Sequence, residues 1–245
     1  MTERFDELQA RAEAEWRSLE ESPKPRILVG TATCGRSAGA MEVLGAFGEQ
    51  LRDRRLEGTV MEVGCIGMCY AEPIVCLIKP PRPGICYANV TPAGAAELVE
   101  RYLIGDDPLP DDALGALGDA GVDGIPPLFE TPFFAPQVRR TLRNCGFIDP
   151  TRIEHYVARD GYTGLERALA MSPQQVIEQI KRSGLRGRGG AGFPTWRKWQ
   201  FCRDAQGDRK YLVCNADEGD PGAFMDRSLM EGDPHALLEG MLIAG

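Results

Sequence analysis

The sequence predicts an α/β protein built as two units in tandem. Short β-branched apolar runs alternate with amphipathic helical stretches over the first hundred residues, which is the signature of a sheet covered by helices. A stretch crowded with Asp, Gly and Pro then interrupts the pattern, and helix start and stop signals resume beyond it. Hydrophobic content of 43% with 26% charge over 245 residues is that of a folded globular chain with room for one large or two modest domains.

Residues 1–22 read as a charged helix carrying the narrow stripe Phe5, Leu8, Ala12, Trp16 and Leu19, ended before Pro23. A stripe bearing a Trp suits docking on a partner subunit. Arg26 to Gly30 reads as a strand, Ala38 to Arg54 as a helix with Val43, Leu44, Phe47 and Leu51 inward, and Thr59 to Val63 as a second strand. Ile74 to Ile78 and Ile85 to Ala88 form a hairpin closed by Lys79 to Gly84, and a helix capped by Thr91 and Pro92 follows. This order describes a thioredoxin-like domain over residues 23–105. Residues 106–135, opening with Asp106-Asp107-Pro108-Leu109-Pro110-Asp111-Asp112, read as a linker, and 136–245 as the second unit.

Cys34 lies just beyond the first strand, and Cys65 and Cys69 just beyond the second. A right-handed crossover makes those strands parallel neighbours, so their carboxyl ends bring three thiols to one crevice. Soft thiolates suit iron, and a two-iron cluster takes four ligands. Only three are plain. Cys76 and Cys86 sit in predicted strands, where buried thiols are the simpler expectation, although either remains open as a substitute. Three residues between Cys65 and Cys69 do not fit a thioredoxin-type redox pair, and His155 and His235 are too distant in sequence to complete a zinc site.

The second unit holds the most informative stretch, Ser183 to Thr195, with five glycines within residues 184–192 and arginines among them. Glycine lets main-chain N–H groups approach a phosphate closely and adopt positive φ. Gly187-x-Gly189-x-x-Gly192 fits the dinucleotide spacing, but a helix leads into it: Ser172 as cap, Pro173 at the first position, Gln175 in the capping box and Gly184 as the stop. It is therefore not an ordinary Rossmann turn. A second helix starts at Phe193-Pro194-Thr195, whose free N–H groups favour an anion, and Arg188 and Lys198 add full charges.

Lys210 to Cys214 reads as a buried strand delivering Asn215, Asp217, Glu218, Gly219 and Asp220 to a cleft. In that position Asn215 suits the carbonyl and N–H edge of a flavin ring, and the carboxylates suit ribityl or ribose hydroxyls.

Together Asn144 to Pro150, Ser183 to Thr195, Cys214 to Arg227 and Asp233 to Met241 resemble the NADH-binding flavoprotein subunit of respiratory complex I and its relatives in NAD-linked hydrogenases and formate dehydrogenases. The resemblance runs from about Arg140 to Gly245. It implies the first part of a complex I flavoprotein-type FMN-binding α/β domain. Gly187, Arg188, Gly189, Gly190, Gly192 and Lys198 would cradle FMN, and Asn215, Asp217 and Glu218 would contact its ring and ribityl chain, with Glu218 the residue nearest catalysis. Phe193, Lys198 and Phe201 would face NADH, and Asp220 stands where the family usually has Glu. The implied activity is hydride transfer from NADH to FMN and single-electron release to iron–sulfur centres. The resemblance further implies a continuation with a second acidic flavin contact and a four-cysteine [4Fe–4S] segment, so the apolar run Leu237 to Gly245 reads as the edge of a fragment or of a truncated gene product. Gly64 to Pro73, with Cys34, is similar to the thioredoxin-like [2Fe–2S] ferredoxin domain that some of these subunits carry, in which another Cys would stand at Val29.

A net charge of −8 argues against a nucleic-acid partner. The expected partners are NAD(H) and other iron–sulfur subunits, without direct membrane insertion. Eight cysteines with no signal peptide point to a reducing cytoplasm and to thiols kept for metal or packing. A second reading stays open: an electron-transfer or assembly module holding a [2Fe–2S] cluster but no complete flavin site.

Overall fold

The computed structural model describes residues 2–245. Strand β1 (Arg26–Gly30) is the second strand of a five-stranded sheet ordered β2-β1-β3-β4-β5. It pairs in parallel with β2 (Thr59–Val63), Gly30 opposite Val63, and antiparallel with β3 (Val75–Ile78), Val29 opposite Val75. The parallel pair needs a crossover, which is supplied by the short helix α2 (Thr33–Ser37) and by α3 (Ala40–Asp53). β4 (Ile85–Tyr87) closes the expected hairpin, and Thr91 accepts the Gly94 N–H at 3.1 Å to cap α4 (Pro92–Leu98).

Alternation along the strands sorts the core into two faces. Ile27, Val29, Val75 and Leu77 pack against Val43, Phe47 and Leu51 of α3 and Leu98 of α4. Leu28, Met61, Val63, Cys76 and Cys86 face the other way, against Ile66, Met68, Leu128 and Phe134. Burying side chains of this size stabilises the fold by about 1.5–3 kcal/mol each.

Four sequence expectations need correction, three of them in and around the sheet. The stretch 106–135, expected as a linker, supplies β5 (Ala113–Ala116), which pairs with β4, and sends Leu128 and Phe134 under the second sheet face. Its Pro and Asp residues shape turns between packed apolar residues, so the turn composition concealed the burial. The N-terminal helix α1 (Thr2–Glu20) docks on the chain itself: Trp16 meets His155 edge-to-face at 5.0 Å and lies under the Arg159 guanidinium at 5.7 Å. Glu15 pairs with Arg152 at 2.6 Å beside α5 (Ile153–Val157). The stripe thus has its cover within the chain. Cys76 and Cys86 are buried as expected but joined as a disulfide, because the antiparallel register sets them directly opposite each other.

Beyond residue 150 the chain is helical: α5, α6 (Thr163–Leu169), α7 (Pro173–Ser183), α8 (Thr195–Asp204), α9 (Met225–Gly232) and α10 (Pro234–Ala244). α7 has the expected ends, a reciprocal Ser172–Gln175 capping box and Gly184 at φ 69°. Lys210 to Cys214 is not a strand. Tyr211 and Val213 are 78% and 79% exposed, and no neighbouring strand among the described residues offers the ladder that β structure requires.

Candidate redox site

The crossover places Cys34 in the first turn of α2, Cys65 in the loop after β2, and Cys69 at the start of a 3₁₀ turn over Cys69–Ala71. All three sulfurs lie within 4.8 Å of one another, with Cys34 and Cys69 at 2.8 Å and Cys65 and Cys69 at 4.0 Å. Burial pushes the Cys34 thiol up to about 11, helped by Cys69 and opposed by Arg227, and pushes Cys65 up as well. Without a cation, the Cys34 and Cys65 thiols are held in the protonated form. A bound metal would displace those protons.

The crevice has a second wall. Arg227 of α9 donates to the Cys34 sulfur at 3.4 Å, and the Thr33 N–H donates to Glu231 at 2.9 Å. α9 comes this close because two glycines meet: a Cβ on Gly64 would lie 2.4 Å from the Gly232 Cα. Arg139 donates to the Ile66 carbonyl at 2.8 Å, and Gly146 leaves room for the Ile66 side chain. Asn144, buried in the same segment, donates to Asp233 and accepts from Arg159, both at 2.8 Å. The Asn144 to Pro150 motif is therefore a wedge between the Cys65 loop and the α9–α10 junction. The sequence marked those residues by resemblance, with no signal for what they touch.

The glycine loop forms as a tight excursion between α7 and α8. The Gly187 N–H donates to the Phe193 carbonyl at 2.8 Å, and Thr195 N–H donates to Leu185 carbonyl at 3.1 Å. Gly190 and Gly192 stand at φ 102° and 60°, conformations that disfavour a Cβ. Lys198 Nζ leans over Gly187, 2.8 Å from where a Cβ would be, so glycine there lets the ammonium close on the loop. Neither Lys198 nor Arg188 has a carboxylate partner among the described residues. No side chain caps α8; the Thr195 and Arg197 N–H groups are taken by the Leu185 and Pro194 carbonyls. Exposed Phe193 and Phe201 face each other at 6.4 Å. The result is a glycine loop with those two cations and two aromatic rings beside it, an arrangement chemically suited to an anion.

The acidic cluster lies elsewhere. Glu218, at φ 46°, accepts the N–H groups of Asp226 and Arg227 at 2.7 and 3.1 Å and so caps α9. Asn215 accepts the Asp217 N–H, and Asp220 is exposed. No hydrogen bond or ion pair among the described residues joins Asn215, Asp217, Glu218 or Asp220 to Gly187, Arg188, Gly189, Gly190 or Gly192. Through α9, Glu218 is tied instead to the thiol crevice. His155 accepts the Asp149 N–H at 3.1 Å and His235 meets Tyr162 at 2.8 Å, so both imidazoles serve packing.

Fold and site together define an α/β protein with a three-thiol crevice walled by α9 and, apart from it, a cationic glycine loop between α7 and α8. Residues 180–245 match the family model of the Nuo51 FMN-binding domain. The chain is 58% identical over 109 residues to the NADP-reducing hydrogenase subunit HndC of Solidesulfovibrio fructosivorans, a match covering 44% of this chain and 22% of that one. It is 51% identical over 104 residues to an NADH-quinone oxidoreductase subunit of Rhizobium meliloti, covering 42% and 25%. Among solved structures, a thioredoxin-like [2Fe–2S] ferredoxin from Aquifex aeolicus aligns at 20% identity and TM-score 0.34, over 41% of this chain and 99% of the ferredoxin. A chain of an NAD+-reducing [NiFe]-hydrogenase aligns at 24% identity and TM-score 0.36, over 96% and 38%. The resemblance to the flavoprotein subunits read from the C-terminal motifs is upheld by the family and sequence matches, which cover about a quarter or less of the length of these two relatives.

Proposed function

We propose that this chain is part of an NADH-oxidising flavoprotein subunit in which residues 180–245 begin the FMN site and the thioredoxin-like unit holds a [2Fe–2S] cluster. The carrying observation is the Gly187–Gly192 loop with the Lys198 ammonium leaning over it, in a segment that matches an FMN-binding family. FMN supplies two-electron acceptance from a hydride donor and one-electron release. The chain's own residues would hold its phosphate: amides of Gly189, Gly190 and Gly192, with charge from Arg188 and Lys198, while Gly187, whose N–H is bound to the Phe193 carbonyl, leaves room for the Lys198 ammonium. Phe193 and Phe201 would flank the dinucleotide. Asn215, Asp217, Glu218 and Asp220 are proposed to reach flavin or ribose once the 210–222 segment closes toward the loop. Cys34, Cys65 and Cys69 would ligate the cluster, and the 106–135 stretch would belong with the thioredoxin-like unit that it covers.

We further propose that the partners are NAD(H) and iron–sulfur subunits of a larger redox complex, in the cytoplasm. No helix among the described residues is long and apolar enough to cross a membrane. The test is flavin and NADH chemistry on the purified protein. Flavin close to one per chain, NADH-dependent ferricyanide reduction, and loss of flavin in Lys198→Ala and Arg188→Ala support the reading; a flavin-free protein refutes it. The exposed 210–214 segment, unpaired in this structure, favours a second reading, a [2Fe–2S] electron-transfer or assembly module without a complete flavin site. Cluster absorption with no flavin bands would select that one.

A further inference from the structure

We propose that Arg227 of α9 acts on the three-thiol crevice through Cys34, its guanidinium hydrogen-bonding that sulfur and raising the reduction potential of a metal centre held there. The inference rests on the reading of the crevice as a [2Fe–2S] site and names the residue that tunes it. Arg227 belongs to the stretch that matches the FMN-binding family, so the second unit lends a charge to the redox centre of the first.

The contact is built by α9. The Glu231 carboxylate accepts both the N–H and the hydroxyl of Thr33, the residue before Cys34, the N–H at 2.9 Å. Arg227 lies four residues earlier, one turn back on the same face of the helix. The two side chains therefore bracket the first turn of α2: Glu231 holds its backbone, and Arg227 Nη2 stands 3.4 Å from the Cys34 Sγ. No side chain separates the elements at the glycine contact, where a Cβ on Gly64 would lie 2.4 Å from the Gly232 Cα. The guanidinium also lies 4.0 Å from the centre of the Phe224 ring, which limits its orientations. Arg227 makes no ion pair among the described residues. Its natural helical partner, Glu231, is committed to Thr33, which leaves the positive charge facing sulfur.

Reduction adds negative charge to a thiolate-bound metal centre. A guanidinium N–H bound to a ligating sulfur draws electron density from it and favours the more negative, reduced state, so the potential rises. Cys34 is the one sulfur of the three with a cationic donor among the described residues. Cys65 accepts only the Gly67 N–H, at 3.2 Å, besides its contact with Cys69. Removing Arg227 should therefore act on one ligand and leave the other two as they are.

The test is anaerobic iron–sulfide loading followed by dithionite titration, with the one-electron-reduced cluster counted by electron paramagnetic resonance. Arg227→Met should lower the midpoint potential by at least about 59 mV, a tenfold change in the reduced-to-oxidised ratio for one electron. Arg227→Lys keeps the charge without the planar fork and should fall between Arg227→Met and wild type. Arg182→Met removes an exposed arginine of α7 and should leave the ratio unchanged. A ratio within about twofold of wild type in Arg227→Met, with native-like circular dichroism, overturns the proposal; so does an equal fall in Arg182→Met. Cobalt(II) in the reduced, metal-free protein reads the same contact without iron. The sulfur-to-cobalt charge-transfer bands should move to longer wavelength in Arg227→Met and Arg227→Gln, because the Cys34 sulfur is richer in electrons once the guanidinium is gone. Wild type that retains no sulfide removes the cluster reading, and the cobalt bands then decide Arg227 alone: unshifted bands in both variants overturn it. Wild type that takes up neither cluster nor cobalt overturns both.

Discussion

Replacing Asn144 by Leu tests whether the wedge between the Cys65 loop and the α9–α10 junction is held by polar contacts. Asn144 is fully buried, donates to Asp233 and accepts from Arg159, each at 2.8 Å. Hydrogen bonds to charged groups contribute roughly 1.5–3 kcal/mol each, so losing both should cost about 3–6 kcal/mol. Asp233 itself is 1% exposed, and burial holds its carboxyl above the usual range while the Asn144 bond pulls it down. The variant removes that pull, so Asp233 becomes still harder to ionise. A carboxyl with a raised folded pKa is most favourable to folding when protonated and loses that advantage as pH rises through the folded pKa. The deficit of Asn144→Leu should therefore be smaller in acid, where Asp233 is protonated in both proteins, and larger at neutral pH. Urea unfolding followed by circular dichroism at several pH values measures this. Asn144→Leu combined with Asp233→Leu should cost less than the sum of the single changes, because no buried partner is then left unpaired. A deficit under about 1 kcal/mol, or strict additivity, would refute the reasoning.

Gly232→Ala should loosen α9 from the crevice, since its Cβ would come 2.7 Å from the Cys145 sulfur; the expected cost is about 1–3 kcal/mol, with faster hydrogen exchange over residues 218–232 and partial recovery on adding Cys145→Ala. Thiol titration of the denatured, unreduced protein should find six reactive cysteines, rising to eight after reduction, and eight without reductant would deny the Cys76–Cys86 bond. His155 is held below the ordinary imidazole range by burial and by Arg152, against Asp149, Glu15 and Glu154. Its neutral form is therefore the one that folds, and stability should fall as pH drops below about 6.5 toward the folded pKa. Melting temperatures should decline more between about pH 7.5 and 5.5 in wild type than in His155→Gln, and equal declines would remove His155 as the cause.

Local chemistry made much of this protein legible without coordinates. Ser172, Pro173, Gln175 and Gly184 fix both ends of α7 because caps act within a turn or two of the chain. The β1–β2 crossover follows from handedness, and with it the meeting of Cys34, Cys65 and Cys69. The glycines of the 187–192 loop announce a tight excursion between two helices, and Gly190 and Gly192 do take positive φ there.

Tertiary structure decided whatever depends on the partner a residue meets far along the chain. Residues 113–116 look like linker until β4 offers them a ladder, and 210–214 look like a strand until none is offered. Trp16 found His155 and Arg159 in its own chain, and Cys76 found Cys86 through register. Sequence periodicity and punctuation report short-range preferences, whereas long-range contacts, strand ladders and buried charges are settled by which surfaces the folded chain brings together.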